Sequence, residues 1–163
     1  MEKPSHVGAN SKIFSNYKNR PTVKFLLACT PGGSVSYISP PAGGSTSDVK
    51  LFNDSGLVKK FHPGEACMAD KGFRIQGTLL EHGVRLIIPP FTKKQKQFTK
   101  AKNNLNKSVA HSRIHVERVI GRVRDYEILN AIVPITQKDL IGPAAVVCCA
   151  LTNLKASVVR PHH

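Results

Sequence analysis

Short apolar runs and helix-spaced apolar stripes alternate along the chain and predict its elements. Four mostly apolar runs of strand length lie at 22–30, 34–39, 65–69 and 84–88. Three segments with helical spacing lie at 48–52, 56–61 and 74–82. Ser47 is the expected N-cap of the first helix, Gly83 ends the last, and the glycine-rich turn at 31–33 joins two strands into a hairpin. The order strand, strand, helix, strand, helix, strand predicts a mixed α/β sheet with covering helices.

One later segment, residues 109–124, carries an apolar face and a charged face. Its apolar positions recur at i, i+3, i+4 and i+7, as on one side of a helix, and are Val116, Val119, Ile120 and Val123. The other side carries Arg113, Glu117, Gly121 and Arg124. Between residues 93 and 124 there are ten Lys or Arg residues and a single acid, Glu117. A single acid among so many cations is either an ion-pair partner of one of them or a metal ligand beside a bound polyanion.

The segments that flank this helix are less regular. Residues 91–106 are expected to form a basic connector, and residues 125–133 an extended or irregular segment. Residues 139–154 predict a final helix with Pro143 in its first turn, where proline is tolerated. Because 144–151 are apolar on all sides, this helix is expected to be buried. Residues 1–154 are thus expected to form one domain, and 155–163 a C-terminal tail.

The charge of the chain narrows the choice of partner. Lys and Arg number 24 against 10 Asp and Glu, a formal net charge of +14, while the 40% apolar content is ordinary for a globular domain. Such a charge usually indicates a polyanionic partner, and nucleic acid is the first choice. The alternative is a protein that is basic only for solubility.

Cysteine usage and hydropathy indicate the compartment. Cys29, Cys67, Cys148 and Cys149 fall in apolar runs and form no Cys-x-x-Cys pair, which predicts reduced core thiols rather than zinc or disulfides. The first twelve residues are polar and give no signal peptide, and the run 144–151 is shorter than the ~20 residues that span a bilayer. A soluble protein of the nucleus or cytoplasm is therefore expected.

Among the ten acids, Asp70 and Glu117 are the strongest candidates for metal ligands. Metal-dependent phosphodiester chemistry needs two or three carboxylates at one point, and Mg²⁺ prefers their hard oxygens. Asp70 ends the strand at 65–69, at the edge where sites of open α/β sheets gather, and Glu117 can face that edge. The alternatives are a turn-forming role for Asp70 and an ion pair between Glu117 and Arg113. Asp48 fits the first turn of a helix better than a metal site.

Five blocks of the sequence are distinctive. They are YKNRPTVKFL (17–26), GGSTSD (43–48), MADKGF (68–73), IIPPF (87–91) and SRIHVERVIGRVR (112–124). Together they resemble DDE superfamily transposases, above all the Harbinger-like endonuclease group, which is found also among domesticated host proteins. The resemblance runs from about Pro4 to Leu154, and the 47-residue separation of Asp70 and Glu117 resembles that group's spacing.

The resemblance implies an RNase H-like fold and a nuclease, a hydrolase that cuts DNA with Mg²⁺ or Mn²⁺ held by a carboxylate triad. Carried over to this chain, Asp70 is the second Asp and Glu117 the closing Glu, while Asp48 matches a recurrent family acid. The family's first Asp lies just before the block that residues 2–5 resemble, and no Asp precedes that block here. The first strand and first catalytic acid are therefore expected to be missing. The chain is then either a truncated endonuclease or an inactive relic that binds DNA or a protein.

The basic residues supply the expected contacts to DNA. They are Lys71, Lys93, Lys94, Lys96, Arg113, Arg118, Arg122 and Arg124. Such contacts follow the phosphate backbone and weaken as salt rises. The alternative is a solvated surface run, in a nucleic-acid-binding domain whose Asp70 and Glu117 are ordinary ion-pair partners.

The sequence also leads to expectations about two histidines and about the binding partners of the chain. His111 and His115 lie at i and i+4 without a third ligand nearby, so we expect them to face solvent or phosphate rather than a metal. The implied partners are DNA and a protein that carries a separate DNA-binding domain, with the nucleus as the implied location.

Overall fold

A computed structural model of the protein describes residues 14–15, 20–70, 72–88 and 100–159, with the backbone alone at 14–15, 20–21 and 100–111. The strands are Phe14–Ser15 (β1), Arg20–Pro21 (β2), Val23–Lys24 (β3), Leu27–Cys29 (β4), Val35–Ile38 (β5), Ala42–Gly43 (β6), Ala66–Met68 (β7) and Arg85–Ile87 (β8). The α-helices are Asp48–Ser55 (α1), Gln76–Glu81 (α2), Lys100–Arg124 (α3), Glu127–Asn130 (α4) and Ile141–Asn153 (α5), with 3₁₀ helices at Leu57–Lys60 and Ile135–Leu140.

The predicted hairpin is confirmed as the antiparallel pair β4–β5. Leu27 pairs with Ile38, and a bulge interrupts the register between Ala28 and Cys29. Beyond the last strand pair, Ser39 continues the ladder, because its amide donates to the Leu26 carbonyl and its hydroxyl accepts from the Leu26 amide, both at 2.9 Å. The other antiparallel pairs are β1–β2 and β3–β6.

The predicted strand–helix–strand unit is confirmed as β7–α2–β8. The two strands are parallel, with Cys67 opposite Leu86, and α2 forms the crossover. Gly83 lies just beyond α2 at φ +68°, a left-handed conformation that glycine adopts without strain and that ends the helix where expected. Leu79 of α2 is fully buried, and Val84 at the entry to β8 is nearly so.

The core lies between these strands and the first helices. The buried cluster consists of Leu26, Leu51, Phe52, Leu57, Val58, Ile75, Leu79 and Val84. Ser47 caps α1 as predicted, because its hydroxyl accepts from the Lys50 amide. The mixed α/β class is confirmed, with each described strand paired to one neighbour.

Helix α3 confirms the two faces predicted for residues 109–124. Val119 is fully buried and Val123 nearly so, whereas Arg113, Glu117 and Arg124 are exposed. The prediction of a connector through residue 106 is wrong from residue 100 onward, because α3 begins at Lys100. The prediction for 125–133 is also wrong in part, since Glu127–Asn130 is helical.

The final helix is present, but the prediction that it is buried on all sides is wrong. Pro143 lies in the first turn of α5, as expected. Ala145, Cys148 and Cys149 are buried, while Val146, Val147 and Leu151 are exposed. An apolar pattern favours burial of every face, but the described chain supplies cover for one face only.

The four cysteines lie at partly or fully buried positions, two half-buried and two buried. Cys29, Cys67, Cys148 and Cys149 are all free thiols, on β4, β7 and α5. Burial raises the pKa of the Cys29 and Cys67 thiols above their ordinary value, so both favour the neutral form. Among the described helices, none has the length and apolar character needed to cross a membrane.

Candidate active site

Asp70 lies at the carboxyl edge of the β7–β8 pair. The Ala69 amide donates to the Ile87 carbonyl and extends the ladder by one residue beyond β7. The chain then turns, with the Phe73 amide donating to the Asp70 carbonyl at 3.0 Å. This position matches the sequence prediction, since the strand ends and the carboxylate follows directly, with its side chain 57% exposed.

Glu117 lies on the exposed face of α3, and Arg113 connects it to Asp70. The Arg113 Nε donates to Glu117 Oε1 at 3.1 Å, and Arg113 Nη2 lies 3.6 Å from Asp70 Oδ2. Both nitrogens belong to one planar guanidinium, so the two carboxylates lie within roughly 9 Å of each other. The structure therefore brings together the two acids that the sequence singled out.

These ion pairs are held in water-exposed surroundings. The side chains of Arg113, Asp70 and Glu117 are 47%, 57% and 63% exposed. Exposed pairs of this kind stabilise a protein by about 0.2–1 kcal/mol each, because solvent screens them. The guanidinium is therefore a weak clamp that a more strongly charged cation can displace.

The donor set suits a hard divalent cation in type but falls short in number. Carboxylate oxygens are the ligands that Mg²⁺ prefers. Asp70 and Glu117 supply two such groups, but across the described ranges no three His, Cys, Asp or Glu side chains come together as a metal site. Among the described residues, Asp70 and Glu117 are thus the two carboxylates that could hold a metal ion at this edge of the sheet.

Asp48, the third acid considered from the sequence, is engaged at a different point. It lies in the first turn of α1, and its Oδ1 is 3.3 Å from Lys24 Nζ. Lys24 also donates to the Thr46 carbonyl at 2.8 Å, which ties β3 to the loop before α1. This arrangement agrees with the role at the start of a helix that the sequence predicted for Asp48.

The arginines at 113–124 of α3 do not all lie on one side of the helix. Arg113 and Arg124 lie on the side of Glu117, and Arg118 is exposed on an adjacent side. Arg122 lies on the opposite side, where its Nη1 donates to the Ala156 carbonyl and fastens the segment after α5. The remaining predicted contacts, at Lys71, Lys93, Lys94 and Lys96, lie outside the described residues.

Comparison with known families identifies the family of the chain. A family model described as DDE superfamily endonuclease matches residues 1–153. The chain belongs to the DDE superfamily endonucleases. Enzymes of this family act on DNA and generally use divalent metal ions, which suits the basic α3 and the paired carboxylates. No curated protein and no solved structure matches the chain.

One prediction about this DDE endonuclease chain is wrong. His115 was expected to face solvent or phosphate but is buried, 8% exposed. The signal was present in the sequence, because His115 precedes Val119 by four residues and so lies on the apolar side of α3. The side chain of His111 lies outside the described residues.

Two contacts in the structure were not predicted from the sequence. Arg113 was a candidate for phosphate contact and for pairing with Glu117, but its approach to Asp70 joins α3 to a strand end distant in sequence. Lys24 was not singled out at all, and nothing local in the sequence pairs it with Asp48.

Proposed function

We propose that this chain is the nuclease domain of a transposase-derived, Harbinger-like protein that cleaves DNA strands with Mg²⁺ or Mn²⁺. The observation that carries the proposal is the convergence of Asp70 and Glu117 on the Arg113 guanidinium. Family membership supports it independently, because DDE superfamily endonucleases act on DNA. DNA and a separate DNA-binding protein are the proposed partners, and the nucleus is the proposed location.

Asp70 and Glu117 are the proposed metal ligands. A bound Mg²⁺ or Mn²⁺ supplies Lewis-acid polarisation of a phosphoryl oxygen and lowers the pKa of bound water. Without the ion, the Arg113 guanidinium balances the two carboxylates. With DNA present, Arg113 and Arg124, on the Glu117 side of α3, contact backbone phosphates. Arg118 extends this basic surface.

We further propose that the hairpin β4–β5 and the parallel pair β7–β8 belong to one RNase H-like sheet. The described residues bring only two suitable carboxylates together, so a third acid is needed from outside them. A strand that precedes the described chain and carries an Asp fills that requirement. Asp48 is not proposed for this role, because it lies in the first turn of α1, where an acid stabilises the start of the helix.

The experiment is a nicking assay on supercoiled plasmid with Mg²⁺, Mn²⁺ or a chelator, using the protein isolated from its source cells. Asp70→Asn and Glu117→Gln are each expected to reduce the nicking rate by about 100-fold or more, while salt-sensitive DNA binding persists. Asp54→Asn is the matched control, because Asp54 is also an exposed acid paired with a cation, Lys50, at 2.8 Å. It is expected to leave nicking unchanged.

A different outcome of the nicking assay would contradict the proposal. DNA binding without any metal-dependent nicking, unaffected by Asp70→Asn, means that the two acids are ordinary ion-pair partners. The chain would then be a DNA-binding module that does not cut, and the endonuclease proposal for this protein would be wrong.

A further inference from the structure

Helix α5 has two apolar faces, and the described chain covers only one of them. The inner face packs toward β5 and α3 and contains Ala145, Cys148, Cys149 and Thr152, all buried. The outer face carries larger apolar side chains that remain exposed, among them Val146, Val147 and Leu151. A helix that is apolar all round is normally buried on all sides.

The uncovered face has the spacing of a helix-pairing seam. The exposed stripe consists of Leu140, Pro143, Val146, Val147, Ala150, Leu151 and Leu154. Val147 lies midway between Leu140 and Leu154, the residues that flank α5, and Pro143 and Ala150 fall between them, so the stripe runs the length of the helix at a seven-residue spacing. Residues 140–154 include no charged side chain.

We propose that a second copy of this chain packs on the exposed stripe, with the two α5 helices antiparallel about a two-fold axis at Val147. The large members of the stripe are 44% to 83% exposed, and together they leave on the order of 500 Å² of apolar surface uncovered. Burying that area on both copies gives about 1,000 Å² in total, the lower bound for a specific interface. An interface of this size belongs to the weaker specific contacts, so association is expected to depend on protein concentration.

Charge at the ends of the stripe sets the partner and its direction. Lys138 and Asp139 precede Leu140, and Lys155 directly follows Leu154; all three are exposed, and Asp139 is the one acid among them. In an antiparallel pair, Asp139 of each copy lies near the partner's Lys155, whereas a parallel pair sets like charges together. The stripe is therefore complementary to itself when reversed, as a two-fold interface requires. In the monomer, the Lys155 ammonium lies 4.5 Å from the centre of the Tyr126 ring.

The test is sedimentation of the full 17.8 kDa chain, without DNA, over roughly 1–100 μM, a range that brackets an interface of this size. The wild type is expected to shift from monomer to dimer across this range. Val147→Glu sets a charge at the two-fold axis and is expected to weaken the dimer at least about 30-fold. Leu80→Glu is the matched control, since Leu80 is 61% exposed on α2 and adds the same charge away from α5.

A charge exchange tests the orientation. Asp139→Lys alone is expected to weaken the dimer about 3- to 10-fold at low salt, and Asp139→Lys with Lys155→Asp is expected to restore it. Circular dichroism verifies that each variant folds. A wild-type chain that stays monomeric throughout the range, or equal effects of Val147→Glu and Leu80→Glu, overturns the proposal. Failure of the double exchange to restore association overturns the antiparallel arrangement.

Discussion

The Arg113 clamp makes a quantitative prediction about metal affinity. Replacing Arg113 with Gln removes the guanidinium that lies 3.1 Å from Glu117 and 3.6 Å from Asp70. Each exposed pair is worth about 0.2–1 kcal/mol, and a divalent cation bound by these acids has to displace both. The two pairs together are worth about 0.4–2 kcal/mol and about 1.4 kcal/mol corresponds to a factor of ten, so we expect Arg113→Gln to tighten Mn²⁺ binding by roughly 2- to 30-fold.

The assay is a titration of Mn²⁺ followed by electron paramagnetic resonance of the free ion at low salt, where exposed charges are least screened. Arg118→Gln is the control, because Arg118 is exposed on the same helix and its loss changes the net charge equally. The difference in Mn²⁺ affinity between the two variants separates the effect of the contact with the carboxylates from the effect of removing one positive charge. Equal Mn²⁺ affinities in the two variants, or weaker binding by Arg113→Gln, would refute the competition between Arg113 and the metal.

Three further predictions test the fold. Leu79 is fully buried, whereas its neighbour Leu80 is 61% exposed. Leu79→Ala is therefore expected to lower the unfolding free energy, measured in urea titrations, by about 2–5 kcal/mol. Leu80→Ala is expected to lower it by less than about 0.5 kcal/mol. Ser47→Ala removes the cap of α1 and is expected to lower that free energy by about 1 kcal/mol, whereas Ser47→Gly lowers it by a few tenths; equal effects would contradict the cap. Burial raises the pKa of the Cys67 thiol above its ordinary value of 9.0, so the folded state keeps the proton at pH values where the unfolded chain loses it. The contribution of Cys67 to the unfolding free energy is therefore fully present below pH 9.0 and is lost as the pH rises above it. Cys67→Ala is expected to reduce this loss of stability, measured by urea titrations from about pH 7 to 10.

Elements with strong local signals could be predicted from the sequence. The unit β7–α2–β8 follows from two apolar runs, a helical segment and Gly83, and the structure reproduces it. The start of α3 could not be predicted, because residues 100–106 contain three asparagines, which are weak helix formers, and too few apolar residues to show a periodicity. For α5, the pattern indicated a helix but could not show which face the rest of the chain covers.

The candidate site was predictable in its acids but not in its contacts. Asp70 follows a strand and Glu117 stands on a polar helix face, and both positions can be read locally. Their connection through Arg113 depends on how α3 packs beside the β7–β8 edge, a tertiary arrangement with no local signature. The same holds for the pairing of Lys24 with Asp48. Family membership is confirmed by the comparison, while the Harbinger-like subgroup stays a prediction.

The central claim is that Asp70 and Glu117 hold one metal centre, and iron-directed cleavage of the polypeptide tests it most directly. Fe²⁺ binds in place of Mg²⁺ at sites of oxygen ligands, and with peroxide it cuts the backbone close to where it is held. We predict cuts near both Asp70 and Glu117 that Mg²⁺ suppresses and that Asp70→Asn abolishes together. Cuts at only one of these positions, or cuts near Asp48 instead, would contradict the account.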